Sequence, residues 1–326
     1  MKRAPRTVDG STPGGPPRTK AEHTAAVRQR RRAVLVINAR SRRGRRNHAA
    51  ATRLLSTAGF TLLANIGVTE PTQLSSTLDA AIALAPDLLI AGGGDGTISE
   101  AARRLAHRDI ALGLLPLGTT NNFARTLRIP LDLPAAVRIL STGKVADVDL
   151  GTADGIPFAN LASIGLSAEV AAHVPHLLKR VAGRAAYPLT ALTRLPRHQP
   201  FTARITTGDG HEWVVRSHQV NIANGAFHAG TPITGDASAD DRLLIAYSLG
   251  DHARRRLLAA SLRHLATGRR RTLTDAPFLV TDQLRLDTDP ALPIDIDGEL
   301  HTQTPVDISI DPNALRVMVA HDAPDI

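Results

Sequence analysis

The sequence predicts an α/β fold, in which a doubly wound α/β domain is followed by a β-rich domain of the β-sandwich type. Three observations lead to this prediction. Short apolar runs alternate with helical patterns up to residue 146, and closely spaced strand-like segments separated by Gly, Asp and Asn follow. A chain of 326 residues is also too long for one ordinary small core, which favours two domains.

The first domain is predicted to cover residues 32–146. The run at 33–37 contains only apolar residues, as is typical of a strand buried on both faces of a parallel sheet. Further strands are predicted at 61–68, 87–91 and 111–115, and helices at 47–58, 72–85 and 97–106. Strict alternation of strands and helices indicates a doubly wound domain with a parallel sheet.

Residues 1–31 form a basic segment that is rich in Pro, Gly, Thr and Arg and has no apolar periodicity. Such a composition offers too little apolar surface to offset the entropy lost on ordering. The segment is therefore predicted to be a disordered basic tail. An arm that is attracted to an anionic membrane is the alternative interpretation.

The second domain is predicted to cover residues 147–326, with its last strand or strands returning to the first domain. Strand-like segments lie at 145–150, 158–163, 202–207, 213–222 and 243–248, and a helical stretch at 168–195 interrupts them. A basic helix is predicted at 254–271, with leucines on one face and arginines elsewhere. It is either a surface helix packed on the β-rich domain or an interfacial helix on anionic lipid.

The composition excludes several classes of site. The chain has no cysteine, which rules out disulfides, thiolate catalysis and Cys-ligated metal sites. Only 3% of its residues are aromatic, which argues against nucleic-acid binding through stacked bases. The net charge of +9 favours polyanions such as nucleotides or an anionic membrane surface. No apolar run has the length of a signal peptide or a membrane span, so a soluble or peripheral protein is expected.

A glycine-rich loop, GGGDGT at 92–97, follows a predicted strand and opens a predicted helix. Glycines let the backbone approach a phosphate closely, and the N–H groups at a helix N-terminus attract the anion. The loop lacks the Gly-Lys-Ser/Thr of a Walker loop and the spacing of the dinucleotide-binding motif. Asp95 is the unusual member, because a carboxylate repels phosphate unless it organises the loop or faces a metal ion.

A second polar loop, PLGTTNNFAR at 116–125, follows the next predicted strand. Its Pro and Gly fix a turn, and its threonines and asparagines offer short hydrogen-bonding groups, one of which can cap a helix. Two such loops after adjacent parallel strands form a crevice, which is where open α/β sheets bind ligands.

Together the two loops resemble the catalytic domain of the diacylglycerol kinase family, which includes bacterial lipid kinases and sphingosine kinases and is related to NAD kinases. The resemblance implies an NAD-kinase-like first domain. It extends over most of the chain, through NARSRRG at 38–44, NLASIG at 160–165, NIANG at 221–225, DASADD at 236–241 and DIDGE at 295–299.

The resemblance also implies roles for individual residues. ATP and its phosphates would contact residues that follow the strands of the first domain: Asn38, Ser41, Gly44, Thr69, Gly93, Gly94, Asp95, Gly96, Thr97, Thr119 and Asn122. The catalytic set would be Asp297, Glu299 and Asp95, with Asp297 as the general base and Glu299 beside it. A structural Mg²⁺ would be held near Ser238, Asp241 and Leu243.

The implied activity is transfer of the γ-phosphate of ATP to the hydroxyl of diacylglycerol or a similar lipid alcohol, with Mg²⁺ as a second cofactor. The protein would then be cytoplasmic and peripherally associated with the inner face of the membrane, as a possible homodimer that binds no nucleic acid. An NAD kinase is one alternative. A catalytically weak nucleotide- or lipid-binding regulator is another, because Asn122, Ser167 and Arg242 stand where relatives carry Asp, Asp and Gly.

Overall fold

The structure is a computed structural model. It describes residues 18–173, 190, 193, 198–225, 227–228, 231–232, 242–248 and 279–323. The first domain is built on four neighbouring parallel strands in the order β2-β1-β3-β4. These are β1 (Arg32–Asn38), β2 (Thr61–Val68), β3 (Leu88–Gly93) and β4 (Ala111–Pro116). Every residue of β3 and β4 is buried, as the apolar runs predict.

Helices cover both faces of this sheet, which confirms the predicted α/β fold class. They are α2 (Arg42–Thr57), α3 (Leu74–Ala83), α4 (Asp95–Leu105), α5 (Asn122–Thr126) and α6 (Leu133–Thr142), with a 3₁₀ turn at Pro71–Gln73 before α3. Contacts pair α2 with α6 and α3 with α4. Buried apolar side chains of the strands and of these helices form one continuous core.

The prediction of a disordered segment up to residue 31 is wrong for its last part. Helix α1 (Lys20–Arg30) begins at a capping box between Thr19 and Glu22 and packs on α6 and on the strand at Lys144–Ala153. Its buried residues include His23 and Val27. Composition did not predict this helix, because it buries few residues and one of them is the polar His23.

Ion pairs just before α1 hold it in place. The Arg18 guanidinium donates from Nη1 to Oδ1 of Asp87 and from Nε to Oδ2 of Asp109, each over 2.7 Å. The imidazole Nε2 of the buried His23 lies 2.9 Å from the carbonyl oxygen of Asp87. These long-range contacts join the segment to the chain immediately before β3 and β4.

The second domain is rich in antiparallel strands, as predicted. Those described are β5 (Lys144–Ala153), β6 (Ile156–Phe158), β7 (Leu161–Gly165), β8 (Phe201–Thr207), β9 (Glu212–Ser217), β10 (Gln219–Ala223), β11 (Phe227–His228), β12 (Thr231–Pro232), β13 (Leu244–Ser248), β14 (Leu279–Thr281), β15 (Gln283–Asp289), β16 (Pro293–Ile296), β17 (Glu299–Gln303) and β18 (Val306–Val319). Helix α7 (Leu166–His173) follows β7. The predicted boundary at residue 146 falls inside β5.

Strand β18 joins the two halves of the protein. It pairs antiparallel with β5 along most of its length, its first part also pairs with β15, and its second part also pairs in parallel with β4. A single sheet therefore runs in the order β2-β1-β3-β4-β18-β15-β8-β9. A second sheet has the order β14-β13-β10-β7-β16-β17.

Two predicted helical segments fall partly or wholly outside the described residues. Helix α7 covers the start of the stretch predicted at 168–195, and the basic helix predicted at 254–271 lies entirely outside. Within the described ranges, no helix is long and apolar enough to cross a membrane.

Candidate functional site

Three polar loops meet at one edge of the parallel sheet. Strands β1, β3 and β4 are parallel neighbours, so their carboxyl ends at Asn38, Gly93 and Pro116 lie along the same edge. Thr69 follows β2 at this edge and is exposed. The residues predicted to hold ATP are thus brought together by the strand order.

Glycines allow the β3–α4 and β4–α5 loops to touch through their backbones. A Cβ on Gly118 would lie 2.3 Å from the Cα of Gly94, and a Cβ on Gly93 would lie 2.6 Å from the Cβ of Thr97. The carbonyl oxygen of Gly93 accepts hydrogen bonds of 2.9 Å from the N–H groups of both Leu117 and Gly118. Larger residues would separate the two loops.

Asp95 ties the second loop to the first. Its Oδ2 accepts hydrogen bonds from Oγ1 of Thr120 over 2.5 Å and from the N–H of Asn121 over 2.9 Å. Its Oδ1 accepts from the N–H of Asn122 over 2.5 Å. The carboxylate of Asp95, in the glycine-rich loop, therefore organises the neighbouring loop after β4.

The N-terminus of α4 has the features of an anion site. Gly94 is its N-cap residue and has no side chain to cap the first turn. The first N–H groups of a helix have no acceptor within the helix, which makes them available to an anion. A Cβ on Gly96 would meet no atom within 4 Å, so open space lies beside this turn. Thr97 is buried and packs against Gly93.

The first loop is shaped by local packing. The Ser41 side chain caps α2 by accepting from the N–H of Gly44 over 2.9 Å. A Cβ on Gly44 would lie 2.6 Å from the carbonyl oxygen of Asn38, so only glycine fits without movement. Thr119 is exposed in the adjoining loop. Ser41 and Gly44 thus have structural roles in addition to the predicted contact with ATP.

Asp297 lies in a turn that folds against the segment before β7. Its Oδ2 accepts from the N–H of Ala159 over 2.7 Å, and its Oδ1 accepts from the N–H groups of Asn160 and Leu161, each over 3.0 Å. The N–H of Asp297 donates in return to the carbonyl oxygen of Leu161 over 2.9 Å. Its φ of 50° is in the left-handed region, which Asp tolerates better than most residues.

Ser99, which the sequence analysis did not single out, connects Asp297 to helix α4. Its hydroxyl donates to the carboxylate of Asp297 and accepts from Nδ2 of Asn160 over 3.2 Å. Burial raises the pKa of Asp297, while the hydrogen bonds from backbone N–H groups and from Ser99 act in the opposite direction. Ser99 lies four residues after Asp95, which puts both on one face of α4. That spacing was the available signal.

Glu299 does not join this cluster. It is the first residue of β17, its side chain is 72% exposed, and its Oε2 lies 3.6 Å from Nε2 of His301. Asp297 and Glu299 are close in sequence but differ in environment, because the turn between them directs one carboxylate inwards and the other into solvent.

The proposed magnesium turn is only partly described. Ser238 and Asp241 lie outside the described residues, and Leu243 is exposed. The N–H of Arg242 donates to Oδ2 of the buried Asp149 over 3.2 Å, and Arg242 has a φ of 58°. Glycine adopts this conformation without strain, which gives a physical reason for the glycine expected there from the family resemblance. The described residues include no group of three or more His, Asp or Glu side chains that could hold a metal ion.

The remaining departures from the family pattern keep internal contacts. Ser167 donates from its hydroxyl to Oγ of Ser163 over 2.8 Å. Asn122 contacts Asp95 through its backbone N–H, so the change from aspartate leaves that hydrogen bond in place.

Comparisons with known proteins agree with this geometry. The model of the diacylglycerol kinase catalytic domain matches residues 32–153. The model of the YegS C-terminal NAD kinase beta sandwich-like domain matches residues 160–319. Together the two matches cover most of the chain and both of its domains.

Similar proteins are known in several bacteria. A Pseudomonas fluorescens protein named "Probable lipid kinase YegS-like" is 32% identical over 281 residues, which cover 84% of this chain and 91% of that protein. A Pseudomonas aeruginosa protein of the same name is 38% identical over 170 residues, which cover 51% of this chain and 56% of the relative. The chain thus matches little more than half the length of the Pseudomonas aeruginosa relative.

A crystal structure of a diacylglycerol kinase from Bacillus anthracis has the same fold. It superposes with a TM-score of 0.71 at 23% identity and covers 89% of this chain and 97% of its own. From the two family models and the Pseudomonas fluorescens relative, we conclude that this chain belongs to the diacylglycerol kinase catalytic-domain family, among the YegS-like proteins.

Proposed function

We propose that this protein is a lipid kinase that transfers the γ-phosphate of ATP to the hydroxyl of diacylglycerol or a similar lipid alcohol. One observation carries the proposal. Helix α4 begins at the glycine loop and, one turn later, presents Ser99 to the carboxylate of Asp297. Helix α4 therefore contacts both the anion site and the candidate base. Such a product would belong to phospholipid biosynthesis.

The donor side of the reaction requires charge neutralisation and positioning. Phosphoryl transfer depends on these two effects more than on covalent catalysis by the protein. The N–H groups of the first turn of α4 would bind the phosphates, with the loops after β1 and β4 on either side. Asp95 would fix the conformation of the loop at 118–122 in this scheme.

On the acceptor side, the oxygen of the lipid hydroxyl would bond to the γ-phosphorus as ADP departs. Asp297 would accept the proton of that hydroxyl. In the absence of substrate, its two oxygens accept from three backbone N–H groups and one hydroxyl. The backbone donors are fixed, whereas a hydroxyl can rotate. We therefore infer that the substrate hydroxyl takes the place of Ser99 at the carboxylate.

Magnesium would arrive with the nucleotide, bound mainly by phosphate oxygens, and would neutralise charge during transfer. The residues present fit such an ion at one point. Oδ2 of Asp95 accepts two hydrogen bonds but Oδ1 accepts one, which leaves a lone pair on Oδ1. The separate magnesium ion near Ser238, Asp241 and Leu243 stays a prediction.

The acceptor is a lipid, so we also propose peripheral contact with the anionic inner face of the cytoplasmic membrane. The net charge of +9 supports this contact, because basic residues are attracted to anionic lipid. The homodimer also stays a prediction.

The direct test is a labelled-ATP assay with diacylglycerol, a total lipid extract and NAD as separate acceptors, with the product identified by mass. We expect a phosphorylated lipid and no NADP. Asp297→Asn should lower kcat/KM by about 10²–10⁴-fold, the usual contribution of a general base. Asp132→Asn is the control, because Asp132 caps α6 through the N–H of Ala135. Phosphorylation of NAD alone, or full activity of Asp297→Asn, would contradict the proposal.

A further inference from the structure

The second sheet has one apolar face, and its opposite face is also buried but carries polar side chains beside a small apolar cluster. Ala162, Ile164, Val220 and Ile222 point into an apolar core. On the opposite face, four polar side chains form a row across neighbouring strands, because Asp295 pairs with Ser163, Ser163 with Asn221, and Asn221 with Tyr247. All four are at most 8% exposed. Such a row is unusual, since buried sheet faces are normally apolar.

Asn221 is the member of this row with a hydrogen bond left unmade. Its side chain is fully buried, and its Oδ1 accepts from Nε2 of Gln219 over 2.7 Å. Among the residues that the structure describes, its Nδ2 has no hydrogen-bond partner. With Nε2 of Gln219 donating to Oδ1, the unsatisfied group of Asn221 is the N–H donor at Nδ2. A buried donor of this kind is costly unless something else accepts from it.

The row leads away from the candidate base. Asp295 precedes Asp297 by two residues, and Asn221 lies on the second strand across from Asp295. With a rise of about 3.3 Å per residue and about 4.8 Å between strands, the backbone of Asn221 lies about 12 Å from that of Asp297. A lipid whose hydroxyl meets Asp297 can place groups near its hydroxyl along this row.

We propose that Nδ2 of Asn221 donates a hydrogen bond to an ester carbonyl oxygen of the acceptor lipid. The inference rests on the proposed lipid-kinase function and narrows its substrate class to acylated alcohols. The unsatisfied group is a donor, so its partner must be an acceptor. In an acylglycerol the carbonyl oxygens are acceptors only a few covalent bonds away from the free hydroxyl. Alkyl ethers and long-chain alcohols have no carbonyl oxygen at this distance.

The test compares diacylglycerol with a dialkylglycerol of equal chain length, which keeps the hydroxyl but lacks both carbonyl oxygens. The readout is kcat/KM for lipid at saturating ATP. We expect the wild-type enzyme to prefer diacylglycerol by about tenfold or more, because an analogue without the acceptor leaves Asn221 unpaired. Asn221→Leu has a similar shape but no donor. It should lose activity on diacylglycerol, keep it on dialkylglycerol, and so lower the preference to about twofold or less.

A second variant allows the test to be completed if the first one does not fold. Asn221→Asp keeps an acceptor for Gln219 but replaces the N–H donor by an oxygen, and it should also abolish the preference. Thermal unfolding of each variant checks that it is folded. Equal wild-type activity on both lipids, or an unchanged preference in a folded variant, overturns the inference while leaving the kinase proposal intact. Phosphorylation of neither lipid overturns the kinase proposal, and this inference with it.

Discussion

The hydroxyl of Ser99 donates a hydrogen bond to the carboxylate of Asp297, although the two residues lie 198 positions apart in the sequence. Ser99 belongs to the helix that opens at the glycine loop, and Asp297 belongs to the turn between β16 and β17. The contact therefore joins the proposed nucleotide side of the site to the proposed acceptor side.

Replacing Ser99 by Ala should alter the ionisation of Asp297. The hydroxyl donor lowers the pKa of this carboxyl, so its removal should raise that pKa further. We expect the acidic limb of the pH profile of kcat/KM for lipid, which reports the free enzyme, to move to higher pH, and kcat/KM at neutral pH to fall, with KM for ATP changed less than twofold. Ser99→Thr restores a hydroxyl and serves as the control. An unshifted profile in Ser99→Ala would show that the hydrogen bond has no part in the reaction.

As the pH is lowered, the wild-type enzyme should lose activity at a pH above the usual pKa range of an aspartate. Burial raises the pKa of Asp297 above 3.8, and a general base acts only when it is deprotonated. The stability effect has the opposite direction: a raised pKa favours the folded state at low pH, and this contribution is lost as pH rises through the folded-state pKa. Measuring kcat/KM and thermal unfolding from pH 4 to 8, in wild type and Asp297→Asn, separates the two effects. An acidic limb centred at or below 3.8 would contradict the assignment.

Two glycines of the site should respond differently to alanine. Gly118→Ala would force a Cβ to 2.3 Å from the Cα of Gly94, so we expect lower stability and weaker ATP binding together. Gly96→Ala meets no protein atom within 4 Å and lies in a helix, where Ala is favoured. It should keep or increase thermal stability. If phosphate approaches this turn closely, Gly96→Ala should nevertheless raise the Kd for ATP about tenfold or more, as measured by calorimetry. Unchanged ATP binding would place the phosphates elsewhere.

Removing Arg18 should destabilise the first domain. Its guanidinium pairs with Asp87, whose side chain is 7% exposed, and with Asp109. Arg18→Ala leaves the buried carboxylate to pair with the more distant Arg30 at 3.7 Å, and should cost about 2 kcal/mol in the free energy of unfolding. Arg285→Ala is the matched control, because its pair with Asp307 is exposed and should contribute much less to the free energy of unfolding. Urea denaturation measures both. Equal effects would mean that Arg18 does not hold α1 in place.

Several features of this protein follow from the sequence alone. The alternation of apolar runs and helical patterns determined the parallel sheet, because burial on both faces of a strand leaves a local signature. The loops at Gly93 and Gly118 were recognisable for a similar reason. Glycine before a helix or in a tight turn reflects a local backbone requirement. The order of the motifs along the chain indicated the family.

The tertiary structure decided how the candidate residues are used. The backbone donors of Asp297 lie more than 130 residues before it, and β18 returns to β4 from the end of the chain. Helix α1 is held by charges at 87 and 109, and Asn221 is left unsatisfied by its neighbours in the sheet. Periodicity in a sequence records which faces are buried. It does not record which distant backbone or side chain satisfies a given polar group, because those partners are fixed only when the sheets close.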